Sequence, residues 1–504
     1  MVMPSSSLWG ANLAESVRNG SVPESRIDDM VSTLSAWYQM GQHKDFPVPG
    51  IGMPSDLTQP HEIVDGRDSK DDGVLFQGAV EGHVLVKNIN NALPLHKPAI
   101  LSILGYSARA PDQNMPTAAQ FSAWGMGYES AIESLELVAG LAEGTVPTPS
   151  GPVSLKPIAF NGTLISGGGS GSVSPSTMSS PFEAIKARAA ADKTVLFWDF
   201  YSSKPAIAGS SSACLVFGNV FSAESFDRGS LRDDYTDNLI LHVAAKCSNT
   251  IVILHNVGIR LVENWIDHPN VTAVIFAHLP GQSSGAALAS LLYGESQFSG
   301  RLPYTVAKNE SDYGTLLYPS YPAGQFGKFP QSNFSEGAYV DYRAFDRGNI
   351  QPRFEFGFGL SYTTFDYSNL KIFLTNDSSA INPYPVERLI QGGPADLWDE
   401  VARVTVEVTN TGKIKSADVI QLYVGIPGRP SKQLRGFNKP VVAAGSSITV
   451  SFALKRRDLS VWDVIKQKWF LQSGPYRIYV GASSRKLPLN GNFSLSSNLT
   501  EYLK

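Results

Sequence analysis

Hydrophobic positions recur along this chain in three different periods, and each period predicts its own architecture. Near the start, Ile27, Met30, Val31, Leu34, Trp37 and Tyr38 fall at helical spacing. They predict an amphipathic helix over 21–41, with Pro23 suited to the first turn and Gly41 to the stop. A second helix is predicted from Asn12 to Val17. Two helices cannot bury such a face alone, so they are expected to dock on something larger. Residues 43–65 carry several prolines and glycines and read as a linker.

From about 66 to 310 the pattern alternates. "FQGAVEGHVLVKN" reads as helix and "AILSILGYS" as a strand with a glycine turn. "TVLFWDFY", "CLVFGNVF", "TIVILHNVG" and "TAVIFAHLPG" are short apolar runs, separated by helical stretches such as "FEAIKARAA", "YTDNLILHVAAKC" and "SGAALASLLYG". Near-continuous apolar strands alternating with helices predict a mainly parallel sheet covered on both faces. Ligands of such sheets gather at the carboxyl ends of the strands. Residues 311–355 are rich in Tyr, Pro, Gly and Asn and read as an ordered, extended connection. From about 356 the period becomes two. "ARVTVEVTNTG", "DVIQLYVGIP", "SSITVSFALK", "KWFLQSG" and "YRIYVGASS" alternate apolar and polar residues between turns. They predict an antiparallel β-sandwich of immunoglobulin or fibronectin type III shape.

Composition narrows the function. With 504 residues, 42% hydrophobic and 10% aromatic, the chain can fill several cores. Its charged fraction is 17% and its formal net charge is -4, which gives no footprint for a nucleic-acid partner. The one basic run, Lys455-Arg456-Arg457, reads as a solvated turn. No apolar run reaches the roughly 20 residues that cross a bilayer, so no membrane partner is expected. The opening "MVMPSSSLWGANLAE" lacks the pattern of a secretory signal. Yet Asn19, Asn161, Asn270, Asn309, Asn333, Asn376, Asn492 and Asn498 all stand in Asn-x-Ser/Thr sequons, which belong to secreted surfaces. The two cysteines, Cys214 and Cys247, are either buried thiols or a disulfide. They lie on a predicted strand and the end of its crossover helix, which pack together, so a bridge is geometrically open.

Several motifs suggest chemistry. "GQSSG", Gly281 to Gly285, matches the nucleophile elbow of serine hydrolases, but all eight histidines precede Ser283 and the chain order fails. A polar helix start with small residues for close packing accounts for it. "SGGGSGS", from Ser166, lacks the Lys-Ser/Thr of a P-loop and the spacing of a dinucleotide fingerprint. It reads as a flexible loop, or as one whose backbone approaches a ligand. No metal-ligand spacing is present; the histidines are scattered, and His268 reads as a turn or core residue. That leaves Glu224, in "FGNVFSAESFDRGSLRDD", at the end of an apolar strand. Phe226 offers an apolar wall that raises a carboxyl pKa, as a general acid needs. Asp227 and Arg228 are expected to pair and hold the loop.

Long segments carry a family resemblance. "WGANLAESVRNGSVPESRIDDMVSTLSAWYQMGQ", "EGHVLVKNINNALPL", "NVFSAESFDRGSLRDDYTDNLI", "DHPNVTAVIFAHLPGQSSG" and "YVDYRAFDRGNIQPRFEFGFGLSYTTF" are similar, in order, to the C-terminal two-thirds of fungal β-glucosidases of glycoside hydrolase family three. The resemblance implies a barrel remnant over 1–45, a linker over 46–65, an α/β sandwich over 66–310, a connection over 311–355 and a fibronectin type III-like domain over 356–504. It implies retaining hydrolysis of terminal β-D-glucosyl residues without a cofactor, by a secreted enzyme. The family's acid/base Glu lies in a Glu-Gly-Tyr-Asp-Arg-like segment, which maps onto Glu224-Ser225-Phe226-Asp227-Arg228. Ser225 and Phe226 depart from that pattern. The "GGGSG" loop, with Gly168, Gly169 and Ser170, resembles a segment that approaches the family's active site. The family's nucleophile is a barrel Asp upstream of everything matched here, so the chain is expected to be truncated and inactive alone. Self-association through the helices of 10–41 is expected with it. The alternative is a non-catalytic remnant that binds carbohydrate or a partner.

Overall fold

A computed structural model describes residues 10–41, 60, 67–112, 154–155, 158–167, 177–222, 227–317, 324–327, 331–375 and 381–496. The N-terminal helices belong to one compact unit and all the sheets to a second. In the first, α1 (Ala11–Arg18) and α2 (Glu24–Gln39) are joined by a short turn. Pro23 sits at the N-cap of α2, and Gly41 takes a positive φ just beyond its end. Val31 and Tyr38 are more than half exposed.

The second unit begins with α3 (Asp72–Gly82) and β1 (Val84–Asn88). The stretch read as one helix is therefore a helix and a strand. His83 turns the backbone to extended geometry, and Val84 and Val86 favour a strand from there. Five further strands complete the sheet: β2 (Ile100–Leu104), β3 (Val195–Asp199), β4 (Ala213–Val220), β5 (Thr250–Asn256) and β6 (Val271–Phe276). The order is β1-β6-β5-β4-β2-β3. All neighbours are parallel except β1, which runs antiparallel to β6. β4, β5 and β6 are buried at every position, as their unbroken apolar runs require. β3 departs from that expectation. It is an edge strand, and Val195, Phe197 and Trp198 are about half exposed.

Helices α4 (Pro181–Asp192) and α6 (Ser284–Leu292) pack together on one face. Helix α5 (Asp234–Ala244) covers the other, with Leu239, Ile240 and Val243 in the second core cluster. Cys214 of β4 and Cys247, just past α5, form a disulfide across this strand–helix contact. No helix among the described residues is long and apolar enough to cross a membrane.

The β-sandwich pairs a three-stranded sheet with a four-stranded one. The first has β7 (Phe365–Leu374), β8 (Glu400–Asn410) and β11 (Ser447–Lys455) in the order β11-β8-β7. The second has β9 (Ile420–Gly425), β10 (Gln433–Asn438), β12 (Gly474–Gly481) and β13 (Leu489–Leu495) in the order β10-β9-β12-β13. Their inward residues, Val404, Val406, Leu422, Val424 and Ile478 among them, share one core.

Two expectations are corrected here. The stretch 311–355 is not simply extended: it holds the 3-10 segment Glu310–Leu317 and helix α7 (Tyr342–Arg347). The Tyr342 ring meets Tyr423 at 5.8 Å, and its hydroxyl accepts from the Leu434 N–H at 2.9 Å. The run at 455–457 is solvated only at its ends, where Lys455 and Arg457 are exposed. Arg456 is 5% exposed, ion-paired to Asp396 and bonded to the Asn382 carbonyl. A buried partner makes that burial tolerable.

Candidate functional site

The carboxyl ends of β2, β4, β5 and β6 form one rim of the sheet, and the candidate loop leaves from β4. Glu224 and Phe226, with Gly168, Gly169 and Ser170, lie outside the described residues. The stems on either side of them are described, and they converge. Gly167 backs onto Ser222: a β-carbon on Gly167 would lie 3.8 Å from the Ser222 carbonyl oxygen. Beyond the loop, Asp227–Arg228 pairs in parallel with Ser154–Leu155. Residues 154–155 and Gly167 therefore meet the described residues that stand on either side of 223–226.

Asn219 fixes that stretch. It is fully buried on β4. Its Oδ1 accepts from the Ala159 N–H at 2.9 Å. Its Nδ2 donates to the carbonyls of Ala159 at 2.8 Å and Gly162 at 3.1 Å, and approaches Ser107 Oγ at 3.3 Å. A single amide thus clamps the 159–162 backbone to the strand that carries the candidate acid. The signal for it was visible: Asn219 is the one strongly polar residue inside "ACLVFGNVF". A buried amide in an apolar strand demands partners.

Gly105 makes the next contact possible. Its φ is 95°, and a β-carbon there would meet the Phe217 carbonyl oxygen at 2.3 Å. The turn brings Tyr106 under β4, where its hydroxyl lies 2.8 Å from Thr236 Oγ1 and accepts from the Asn219 N–H at 3.1 Å. Phe160 stacks in a tilted or edge manner on Tyr106 and Tyr235.

Beside them a second chain of bonds has one consistent proton assignment. His278 Nδ1 faces the Gly82 carbonyl at 2.9 Å, so Nδ1 carries the proton and Nε2 accepts from the Tyr304 hydroxyl at 2.8 Å. The Tyr304 oxygen accepts from Asn256 Nδ2 at 2.8 Å. Burial pushes the His278 pKa down and the Tyr304 pKa up, which keeps both neutral. Asn256 Nδ2 also donates to the Gly258 carbonyl at 2.8 Å, and the neighbouring Ile259 carbonyl accepts from Arg228 at 2.8 Å. Arg228 makes no ion pair with a described carboxylate. Burial, then the charge of Arg260, lowers its pKa. The Asp227 side chain lies outside the described residues, so the expected Asp227–Arg228 pairing is not among the contacts. Arg260 itself is buried between Asp233, the N-cap of α5, and Asp237, and Trp265 donates to Asp237 at 2.8 Å.

The Gly281–Gly285 motif plays a packing part. A β-carbon on Gly285 would fall 2.0 Å from the Ser180 carbonyl oxygen. The nearby serine–histidine contact involves Ser284, not Ser283: Ser284 Oγ lies 3.3 Å from His255 Nε2, and Ser107 Oγ lies 3.2 Å from its Nδ1. All three are fully buried, and burial holds His255 down at about 3, so it is a poor base. His268 is a turn residue whose Nδ1 accepts from the Asn270 N–H. Among the described residues no group of three or more His, Cys, Asp or Glu side chains is placed to hold a metal ion.

A polar cleft of about 330 Å³ opens past Arg228, lined by Ser230, Arg232, Asp237, Glu263, Asn264, Lys308, Asn309 and Glu310 among others. The Glu310 carboxylate accepts from Ser230 Oγ at 2.7 Å and the Leu231 N–H at 2.6 Å, which ties down the chain after Arg228. Of the sequons, Asn309, Asn333 and Asn492 are exposed, as is Asn19, whose Oδ1 accepts from the Ser21 N–H. Asn161 Oδ1 accepts from Arg109 and the Asp112 N–H, and Asn270 is half-buried. Asn376 and Asn498 lie outside the described residues.

Residues 83–362 match the glycosyl hydrolase family 3 C-terminal domain, and residues 418–484 match the fibronectin type III-like domain. The chain is 51% identical over 496 residues to a probable beta-glucosidase M of Aspergillus flavus, covering 98% of this chain and 60% of the relative. It is 47% identical to beta-glucosidase cel3A of Pyricularia oryzae, over 98% of this chain and 62% of that one. Among solved structures it is similar to a beta-D-glucoside glucohydrolase from Trichoderma reesei, with a TM-score of 0.76 and 33% identity over 97% of this chain and 63% of that chain. A beta-glucosidase from Chaetomella raphigera gives a TM-score of 0.79 and 36% identity, over 97% and 63%. The chain spans about 60% of the length of the curated relatives it matches.

Proposed function

The chain belongs to glycosyl hydrolase family 3, and from that premise we propose that it supplies the acid/base side of a retaining β-glucosidase site. Glu224 protonates the leaving oxygen of a terminal β-D-glucosyl residue and then activates the water that releases glucose. The 168–170 loop and Phe226 contact the sugar. The nucleophile is assigned to none of residues 1–504; it comes from a family barrel, with the two carboxylates roughly 5–5.5 Å apart as retention requires. The chain alone is therefore expected to show almost no turnover. The sequons support an extracellular setting.

One observation supports the reading: the described residues that lead into the two candidate loops meet at the carboxyl rim of the sheet, Gly167 against Ser222, and Asn219 ties the 159–162 backbone to the same strand. The test joins this chain to a family barrel and measures glucose release from cellobiose. Glu224→Gln keeps the size of the side chain but has no proton to give, so cellobiose turnover should fall roughly 10²–10⁴-fold. An activated aryl glucoside needs little protonation of its leaving group. Its first step should survive better, and azide should partly restore turnover by replacing the base-activated water. Full cellobiose activity in the variant would move the acid role to another carboxylate.

A further inference from the structure

We propose that Asn309, Asn333 and Asn492 carry N-linked oligosaccharide in the native protein and that Asn270 stays bare; the inference rests on the extracellular reading above. In the transfer, Asn Nδ2 bonds to the anomeric carbon of a lipid-linked pyrophosphoryl oligosaccharide. The bond from that carbon to the pyrophosphate oxygen breaks, the lipid pyrophosphate leaves with the electron pair, and the amide nitrogen loses a proton. Nothing is oxidised or reduced. The requirement on the acceptor is a free Nδ2 on an Asn-x-Ser/Thr segment.

Sugar transfer meets the chain before it is fully folded, so sequence alone does not separate the sequons. Folding separates them, because an oligosaccharide is too large and polar to be buried. Asn309 precedes the 3-10 segment in an exposed turn. Its backbone N–H bonds to Asp312 Oδ2 at 3.0 Å, while its side chain faces solvent at the mouth of the polar cleft, with Ser311 exposed beside it. Asn333 and Ser335 are exposed, and Phe334 between them is 73% exposed at a φ of 44°. A sugar on Asn333 would cover part of that ring. Asn492 lies on the edge strand β13, where alternation sends Phe493 and Leu495 into the core and turns Asn492 and Ser494 outward.

Asn270 is the opposite case. The atom that would take the sugar, Nδ2, donates to the Ala244 carbonyl at 2.8 Å and so closes the C-terminal end of α5. The sequon hydroxyl, Thr272, is 2% exposed and donates to Asn249 Oδ1 at 2.6 Å. A chain modified at Asn270 has to open the corner between α5 and β6 to make room. Such chains do not reach the compact state.

The experiment secretes the full chain from a yeast host behind a heterologous leader and takes the monodisperse, folded fraction. Peptide N-glycosidase in heavy-oxygen water converts each sugar-bearing Asn to labelled Asp, and peptide mapping reads the positions. Label at Asn309, Asn333 and Asn492 with none at Asn270 is the expected result. Label at Asn270 in the folded fraction, or a bare site among the other three, overturns the inference. Separately, Asn309→Gln, Asn333→Gln and Asn492→Gln should each remove one step of gel mobility, and Asn270→Gln none. Glucosidase assays of a barrel-joined chain are independent of this map, so failure of the hydrolase reading and failure of the sugar assignment remain distinguishable.

Discussion

If Asn219 clamps the 159–162 backbone, then Asn219→Asp should release it with almost no change of shape. The substitution keeps Oδ1, which accepts from Ala159 N–H, and replaces the Nδ2 donor with a second oxygen. Two carbonyls, Ala159 O at 2.8 Å and Gly162 O at 3.1 Å, then lose their donor and face an acceptor. Each buried group left unsatisfied costs about 1–3 kcal/mol, so the static sum is about 2–6 kcal/mol. Opening of the loop to water recovers some of this, and a loss of about 3 kcal/mol is expected at neutral pH. That is a large share of the roughly 5–15 kcal/mol that holds a typical domain together.

The penalty has a pH signature. Full burial and two facing carbonyls raise the folded pKa of an Asp at this position above its unfolded value of roughly 4. Below that value both states are protonated, and the carboxylic acid can still donate to one carbonyl. As pH rises through it, the unfolded state ionises first and stability falls, until the folded pKa is passed. Urea titrations at pH 4 and pH 7 should therefore show a larger deficit at pH 7. Hydrogen exchange should show faster opening of 158–167, with the amides of β4 little changed. Wild-type exchange in 158–167, or a deficit that does not grow with pH, would refute the clamp.

Other expectations follow from the same geometry. Thiol titration of unreduced, denatured protein should find no free thiol, and replacing Cys214 and Cys247 by Ala should cost roughly 3–4 kcal/mol for a loop of 33 residues. Gly285→Ala should destabilise by roughly 3 kcal/mol because its β-carbon meets the Ser180 backbone, whereas Ser283→Ala should leave thermal melting unchanged. Burial holds His255 at about 3 and His83 at about 4, so both stay neutral in the folded state while the unfolded chain takes up protons below roughly 6.5. Stability should therefore be full above that pH and fall as pH drops towards the folded values, by about 2 kcal/mol per histidine at pH 5; a urea midpoint flat between pH 7 and 5, or an unchanged slope in His255→Asn, would contradict this.

The fold was largely legible because its signals are local. Unbroken apolar runs such as "TIVILHNVG", bounded by turn residues and alternating with helical stretches, point to strands of a covered sheet, and the change to period two announces the sandwich. What escaped depends on partners distant in sequence. Arg456 belongs to a basic run that looks solvated until Asp396, 60 residues earlier, supplies its counter-charge. Tyr342 of α7 has its ring and hydroxyl partners, Tyr423 and Leu434, in the sandwich, the latter 92 residues on. The split at His83 escaped for a different reason: a short apolar run fits helix and strand alike, and one residue decides where one ends.

The same division explains the candidate site. A candidate acid is recognised from its own segment, so Glu224 stands out by resemblance alone. The elements that hold such a segment do not resemble anything, because each is an ordinary residue with a particular partner. Here they lie outside 223–226. Asn219 precedes the segment and grips the 159–162 backbone. Arg228 follows it and is held by the Ile259 carbonyl, while Asp227–Arg228 pairs with Ser154–Leu155. Ser225 and Phe226, where this chain departs from the family's Gly-Tyr, lie between these anchors and outside the described residues.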